Sequence, residues 1–133
     1  MSTPITVADL VYLQPSTLAS LLSDPDSAAK TTVIDVRDSD HVGGHIKGSM
    51  WVPLPELDAR IPELIRLNKA KDRVVFHCML SQQRGPLAAL KYAQTTKTEA
   101  TEVCVLAGGF DAWQARYGQE DKLTEAYAKD LWD

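Results

Sequence analysis

Continuous apolar stretches alternate along the chain with stretches in which apolar positions recur every three or four residues. The stretch TTVIDV at 31–36 is β-branched and apolar in its centre, which is typical of a strand buried on both faces of a sheet. By contrast, Leu18, Leu21 and Leu22 follow Pro15 at helical spacing, so a helix is predicted to begin there. The predicted strands are 11–13, 31–36, 50–52, 74–76 and 102–106.

Helical spacing predicts three more helices, each bounded by proline or glycine. They cover 56–67 with a break at Pro62, 86–95, and a segment that follows Gly108-Gly109 and contains Trp113. Residues 1–9 are predicted to be a loosely held lead-in, and 123–132 a last amphipathic segment. Because strands alternate with helices, the predicted class is α/β, with a central, mainly parallel sheet flanked by helices.

Composition narrows the choice of partners. The 133 residues suffice for a single domain over 1–133 with its own core. Hydrophobic residues make up 44%, charged residues 24%, and the net charge is −4, a balance usual for a globular protein. No block of lysine and arginine indicates a nucleic-acid partner. The sequence contains no long apolar span and no basic-then-apolar N-terminus. We therefore expect no membrane helix, no membrane partner and no secretory signal.

Cys78 and Cys104 are the two cysteines of the chain. Because the cysteines are few and no secretory signal is predicted, we expect reduced thiols and a cytoplasmic or nuclear location. Cys104 lies in the apolar run EVCVLA, so we expect a buried, inert thiol; a disulfide with Cys78 requires their Cα atoms to lie within about 7 Å. No group of histidines, cysteines and carboxylates has metal-ligand spacing, so we predict no metal and no other cofactor.

The strongest chemical signal is HCMLSQQRGP at 77–86, directly after the apolar run 74–76. Such a loop directs backbone N–H groups and a helix N-terminus at one point, where a phosphate-like anion is stabilised. Arginine adds two parallel donors that suit an oxyanion, and the same positive field favours a reactive thiolate. We therefore predict an oxyanion cradle with Cys78 and Arg84 as catalytic residues. Its members are Cys78, Met79, Leu80, Ser81, Gln82, Gln83 and Arg84.

The predicted reaction is in-line attack of the Cys78 thiolate on phosphorus, followed by hydrolysis of the phosphocysteine. Arg84 and the loop amides are expected to hold the equatorial oxygens in the transition state. Two roles stay open for the Ser81 hydroxyl, a hydrogen bond to the sulfur or one to the loop backbone. His77 precedes the nucleophile on a strand and so points to the opposite face, where we expect a buried, hydrogen-bonded support.

The general acid is unassigned at this point. Asp38, Asp40 and His41 follow the strand at 31–36, where they either lie near the rim of the cradle or form a solvated polar loop. The tryptophans Trp51, Trp113 and Trp132 are expected to pack in the core and at its edges. Capping of the cradle by Trp132 is an alternative for that residue.

Three segments together resemble the rhodanese-fold superfamily. IDVRDSDHVGGHIKGSMWVP at 34–53 resembles its signature of Asp and Arg closing a strand before Gly-His-Ile. LAGGFDAW at 106–113 resembles its closing Gly-Gly-Phe and Trp segment, and the cradle lies between the two, where the family carries its catalytic loop. The resemblance covers about residues 8–118, with 119–133 as a C-terminal extension. It implies a three-layer fold, a supporting role for Asp35 in preference to an acid–base role, and a supporting role for His45.

Within this superfamily, the loop from Cys78 to Arg84 resembles the phosphate-binding branch, which carries one residue more than the sulfur-transferring rhodaneses. That branch includes the M-phase inducer phosphatases and the arsenate reductases of fungi and plants. The chain looks closest to the small single-domain fungal phosphatases, which share an Asp-Leu-Trp stretch like 130–132. The resemblance implies a protein-tyrosine or dual-specificity phosphatase that acts on phosphorylated proteins or small aryl phosphates.

Three positions depart from the M-phase inducers. Met79 and Gln83 stand where those enzymes have glutamates implicated in proton donation, and Val36 stands where many have a second, protective cysteine. We therefore expect weak activity on poor leaving groups. The alternative is an arsenate reductase, in which Cys78 attacks arsenate and glutathione, as co-substrate, or glutaredoxin completes the reduction. A sulfurtransferase and a non-catalytic rhodanese-like binding module are less favoured. The expected anions are phosphate, sulfate and arsenate.

Overall fold

The computed structural model describes residues 5–96 and 100–132. Seven strands are found in this part of the chain: β1 (Val11–Leu13), β2 (Thr31–Asp35), β3 (His45–Ile46), β4 (Met50–Trp51), β5 (Arg73–His77), β6 (Glu102–Leu106) and β7 (Thr124–Glu125). Five of them form a sheet in the order β1-β6-β5-β2-β4, and every neighbouring pair is parallel. β3 and β7 form a separate antiparallel pair. The predicted parallel α/β class is confirmed.

Helices cover both faces of this sheet. They are α1 (Pro15–Ser23), α2 (Pro25–Ala29), α3 (Leu54–Leu67), α4 (Arg84–Thr96) and α5 (Gly109–Tyr117), with short 3₁₀ turns at Val7–Asp9 and Lys129–Leu131. No helix in the described ranges is both long and apolar enough to cross a membrane.

The sheet separates two hydrophobic clusters, because alternate side chains of each strand point to opposite faces. One cluster joins Ile34, Val74 and Phe76 to buried residues of α3 and α4. The other joins Val33 and Val75 to α1 and α5, where Leu18, Ala19, Phe110 and Trp113 are buried. Burial on both faces explains why the central strands are continuously apolar in sequence.

The predicted break of the third helix at Pro62 is wrong. α3 runs without interruption from Leu54 to Leu67 and contains Pro62, although proline cannot donate the backbone hydrogen bond at that position. Leu57, Ile61 and Leu64 lie on both sides of the proline and are all buried in one cluster. Packing of this apolar face against the sheet outweighs the local cost of the proline.

Three other segments contain structure that the sequence did not predict. Asp24 ends α1 and caps α2 by accepting a hydrogen bond from the Ser27 N–H at 3.1 Å. The predicted amphipathic segment at 123–132 is a short strand followed by a turn. Of the lead-in at 1–9, residues 1–4 lie outside the described residues, and Val7–Asp9 form a 3₁₀ turn.

The C-terminal segment braces the loop that follows β2. β7 pairs with β3, and the Ala128 N–H donates to the Gly43 carbonyl at 3.1 Å. The Trp132 indole Nε1 donates to the same carbonyl at 3.0 Å, while its ring packs 5.5 Å from that of Phe110. The loop at 38–44 is therefore held from its C-terminal side by residues far away in sequence.

Candidate active site

Cys78 lies at the carboxyl end of β5, where anion sites of parallel sheets usually lie. The sulfur accepts backbone hydrogen bonds from the Ser81 N–H at 3.2 Å and the Gly85 N–H at 3.4 Å. Ser81 adopts a left-handed conformation with φ 54°, which turns the loop back over the sulfur. Two backbone N–H groups therefore point at this one sulfur atom.

The Ser81 hydroxyl lies against the loop backbone. Its oxygen accepts from the Cys78 N–H at 3.5 Å and would lie 3.2 Å from a Cβ placed at Gly85, in the first turn of α4. The backbone N–H groups of Met79, Leu80, Gln82 and Gln83 donate to no group within 5–96 and 100–132. These amides are therefore available to an external acceptor.

A cavity of about 350 Å³ opens above this loop. Leu80 contributes an exposed apolar side chain to it. Nearly all the predicted cradle residues line the cavity, together with one carboxylate from the loop after β2. The lining residues are Asp40, Cys78, Met79, Leu80, Gln82, Gln83 and Arg84.

Arg84, the first residue of α4, is held by that carboxylate. Its two terminal nitrogens donate to the two oxygens of Asp40, at 2.9 and 2.6 Å. Asp38 lies farther away, with an oxygen 4.0 Å from Arg84. The hydrogen bonds from Arg84 lower the pKa of Asp40 to about 2, and Asp40 in turn raises the pKa of Arg84. The two side chains are thus a fully charged pair.

Beneath the cradle lies a buried charged pair, Asp35 and Arg37. Arg37 donates to both carboxylate oxygens of Asp35, the shortest distance being 2.7 Å, and its guanidinium stacks 4.3 Å from the centre of the Phe110 ring. Burial opposes the charge of Asp35, but His77 and Arg37 together lower its pKa. Because Asp35 and Arg37 are both fully buried, each charge depends on the other for compensation.

His77 supports the cradle from inside the fold. It is fully buried on β5 directly opposite Asp35 of β2, and its Nδ1 lies 3.0 Å from the Cys78 carbonyl oxygen. Its Nε2 has no hydrogen-bond partner in the described chain and lies 3.8 Å from Asp35. Burial lowers the pKa of His77, so the ring is neutral near pH 7. Its location agrees with a support rather than a proton donor to a ligand above the loop.

His45 does not line the cavity. It lies on β3, 3.7 Å from Glu125 of the paired strand, and its ring stacks 5.7 Å from that of His41. His41 in turn stacks on Trp51 at 4.2 Å and lies 3.5 Å from Asp35. Of the three rim candidates, Asp40 alone lines the cavity with Cys78.

The N-terminus of α5 holds the loop from below, a contact that the sequence did not reveal. The Phe110 N–H donates to the Cys78 carbonyl and the Asp111 N–H to the Met79 carbonyl, both at 2.9 Å. Gly109, with φ 60°, allows this approach, because a Cβ there would lie 2.5 Å from the Met79 carbonyl oxygen. The Gly-Gly-Phe signal therefore serves the site through the backbone.

Several side chains considered from the sequence lie elsewhere. Cys104 is buried in β6 and, like Cys78, is a free cysteine. Trp132 packs on Gly43 and Phe110 and does not line the cavity. Among residues 5–96 and 100–132, no group of three or more histidines, cysteines and carboxylates is arranged to hold a metal ion.

Comparison with known proteins places this arrangement in a family. The model of the rhodanese-like domain matches residues 14–116. The CDC25-like phosphatase YCH1 of Saccharomyces cerevisiae is 36% identical over 143 aligned positions, covering 95% of this chain and 96% of that protein. Arsenate reductase 2.1 of Oryza sativa subsp. japonica is 38% identical, covering 84% of this chain and 73% of its own. A solved yeast protein tyrosine phosphatase of the rhodanese family superimposes with a TM-score of 0.79 at 33% identity, covering 97% and 99% of the two chains.

Proposed function

Since this chain belongs to the rhodanese-like domain family, we propose that it is a cysteine-dependent phosphatase with Cys78 as nucleophile and Arg84 as oxyanion ligand. One observation carries the proposal. The Cys78 sulfur, four unpaired loop amides and the Arg84 guanidinium belong to one loop over one cavity. A nucleophile surrounded by convergent anion donors suits attack on a phosphoryl group.

The reaction has two balanced steps. In the first, the Cys78 thiolate forms a bond to phosphorus while the phosphoester bond breaks, and the leaving oxygen takes up a proton. In the second, water attacks the phosphocysteine, inorganic phosphate leaves and the thiolate is regenerated. The loop amides and Arg84 stabilise the equatorial oxygens in both steps. These two steps are written without a cofactor.

The substrate class follows from the side chains that line the cavity. The side chains of Met79 and Gln83 have no ionisable proton, so neither position supplies a general acid. Aryl phosphates, including phosphotyrosine in proteins, leave as stabilised phenolates and need the least proton donation. We therefore propose aryl phosphates as preferred substrates and a cytoplasmic or nuclear location, where thiols stay reduced.

Reduction of arsenate is the second candidate, favoured by the relationship to plant arsenate reductases and by the similar charge and shape of the two anions. Cys78 would displace water from arsenate to form a sulfur–arsenic bond. Two molecules of glutathione would then supply two electrons and two protons, so that the sulfur–arsenic bond breaks, arsenite and oxidised glutathione leave, and the Cys78 thiol is regenerated. The same cavity serves both reactions.

Three assays on the same preparation separate the candidates. We expect hydrolysis of p-nitrophenyl phosphate, to be compared with glutathione-dependent arsenate reduction and thiosulfate-to-cyanide sulfur transfer. Cys78→Ser is expected to abolish the activity, whereas Cys104→Ala, which removes the other thiol, retains it. Arg84→Ala is expected to weaken phosphate binding sharply in a protein that still folds. Sulfur transfer that depends on Cys78, without phosphate hydrolysis, would overturn the proposal.

A further inference from the structure

In the described part of the chain, the side chain of Arg84 forms its hydrogen bonds with one partner, Asp40. Arg84 is the first residue of α4, and its side chain is about a third exposed. Within the described ranges, the hydrogen bonds of its guanidinium go to Asp40, and its Nε donates to no group there. A long side chain with this exposure samples many rotamers unless a contact fixes it.

We infer that Asp40 is the positioning residue that fixes the Arg84 guanidinium over the Cys78 loop, an inference that rests on the proposed function. Asp40 reaches Arg84 across 44 positions of sequence, with both carboxylate oxygens engaged. Two-point contact restrains the orientation of the guanidinium plane as well as its position.

Pairing with Asp40 leaves the guanidinium able to bind a substrate. Arginine has five N–H donors, of which this contact uses one on each terminal nitrogen. The Nε–H and one hydrogen on each terminal nitrogen remain. An Nε–H with a neighbouring terminal N–H forms a two-pronged donor for a phosphate or arsenate oxygen pair. One cation can therefore contact the carboxylate and the oxyanion at the same time.

Asp40 is itself held in place, as a positioning residue must be. One of its carboxylate oxygens accepts from the Asp38 N–H at 3.0 Å, and its carbonyl lies 3.4 Å from a terminal nitrogen of the buried Arg37. Farther along the same loop, Gly43 is fixed by the C-terminal segment. The restraint thus passes from the buried pair and the C-terminal brace, through Asp40, to Arg84.

Asp40 would act differently as a proton donor or as a competitor for Arg84. A donor must carry a proton at working pH, whereas the pKa of Asp40 is held at about 2 by Arg84. A competitor would occupy the guanidinium until an anion displaced it. Positioning, proton donation and competition therefore predict different responses to removal of the carboxylate.

The test compares Asp40→Ala and Asp40→Asn with a matched control, Asp58→Ala. Asp58 forms a surface ion pair with Lys91 at 3.2 Å between α3 and α4, outside the cavity. For Asp40→Ala we expect weaker binding of inorganic phosphate and a loss of roughly tenfold or more in kcat/KM. The loss should be equal for aryl phosphates of good and poor leaving groups. Asp40→Asn, which keeps one acceptor oxygen, should lie between, and Asp58→Ala within about twofold of the wild type.

A double-mutant cycle separates positioning from a purely structural role. In an Arg84→Ala background, Asp40→Ala should change phosphate affinity by less than about twofold, because the group that Asp40 positions is already absent. A structural role would give the same loss in both backgrounds and would overturn the inference. Thermal unfolding of every variant verifies that each is folded.

The remaining outcomes of the binding and kinetic measurements also distinguish positioning by Asp40 from its other two roles. Unchanged or tighter phosphate binding by Asp40→Ala contradicts positioning, and tighter binding identifies a competitor. A loss that grows with the pKa of the leaving group identifies a proton donor instead. If the wild type binds phosphate but hydrolyses no aryl phosphate, the proposed function fails. Weaker phosphate binding by Asp40→Ala would then still support the positioning of Arg84.

Discussion

Cys78 and Cys104 are both free and almost completely buried, yet the groups around the two sulfurs differ in character. Two backbone N–H groups donate to the sulfur of Cys78, at 3.2 and 3.4 Å. The Cys104 thiol instead donates to a carboxylate oxygen of Glu102 at 3.3 Å. Burial, with Glu102 as a further cause, raises the pKa of Cys104. Both thiols are buried, so the comparison sets backbone N–H donors at one sulfur against a carboxylate at the other.

Thiol alkylation gives the largest expected contrast. With iodoacetamide near pH 7, we expect Cys78 to react at least about a hundredfold faster than Cys104, because the thiolate is the reactive form. Inorganic phosphate should slow labelling of Cys78 and leave Cys104 unaffected. Peptide mass spectrometry measures both rates in one sample. Similar rates for the two thiols in the folded protein would invalidate the comparison.

The support beneath Cys78 is tested by Gly109→Ala. A Cβ at Gly109 would lie 2.5–2.7 Å from backbone atoms of Cys78 and Met79, so the loop or α5 must shift. We expect kcat/KM for an aryl phosphate to fall roughly tenfold or more, since small displacements of reacting groups are costly. Gly48→Ala is the matched control, because Gly48 also has a positive φ of 79° but no atom within 4 Å.

Both glycine variants should lose roughly 1–2 kcal/mol of unfolding free energy through backbone strain alone. The difference between them therefore isolates the contact with the Cys78 loop. Equal activity of the two variants would show that α5 does not support the cradle.

A smaller effect is expected in the pH dependence of stability. The folded state raises the pKa of Cys104 above its ordinary 9.0, so above that pH the unfolded state binds fewer protons than the folded state. Stability contributed by this thiol is thus present below pH 9 and lost as the pH rises further, by at most about 1.4 kcal/mol per pH unit. Urea unfolding between pH 8 and about 10.5 should show a steeper decline for the wild type than for Cys104→Ala. Parallel declines would contradict the raised pKa.

The sequence predicted most of the elements that position the site, for identifiable physical reasons. β2, β5 and β6 are buried on both faces, so their apolar runs are continuous and easily read. Cys78 and Arg84 occur in one short loop between a strand and a helix, and local spacing was enough to join them. The predicted resemblance to rhodaneses is confirmed by the family match and by the relatives.

Contacts between segments that are far apart in the chain could not be predicted from the sequence. Asp40 was one of three equivalent polar residues until the fold brought it to Arg84. Backbone N–H groups of α5 donate to carbonyl oxygens of the cradle, and the residue types in α5 do not indicate such backbone contacts. Local propensity predicts a helix break at Pro62, but the tertiary packing of α3 overrides that propensity.

The brace on the loop after β2 has a consequence for synthesis of the chain. Gly43 and the indole that holds it are 89 positions apart. At about 5–20 residues per second, the ribosome makes the second partner on the order of ten seconds after the first. A nascent chain that has just passed Arg84 already carries the whole phosphate-binding motif, but the loop bearing Asp40 is not yet fastened. Completion of the site therefore waits until the ribosome has made the segment that contains Trp132.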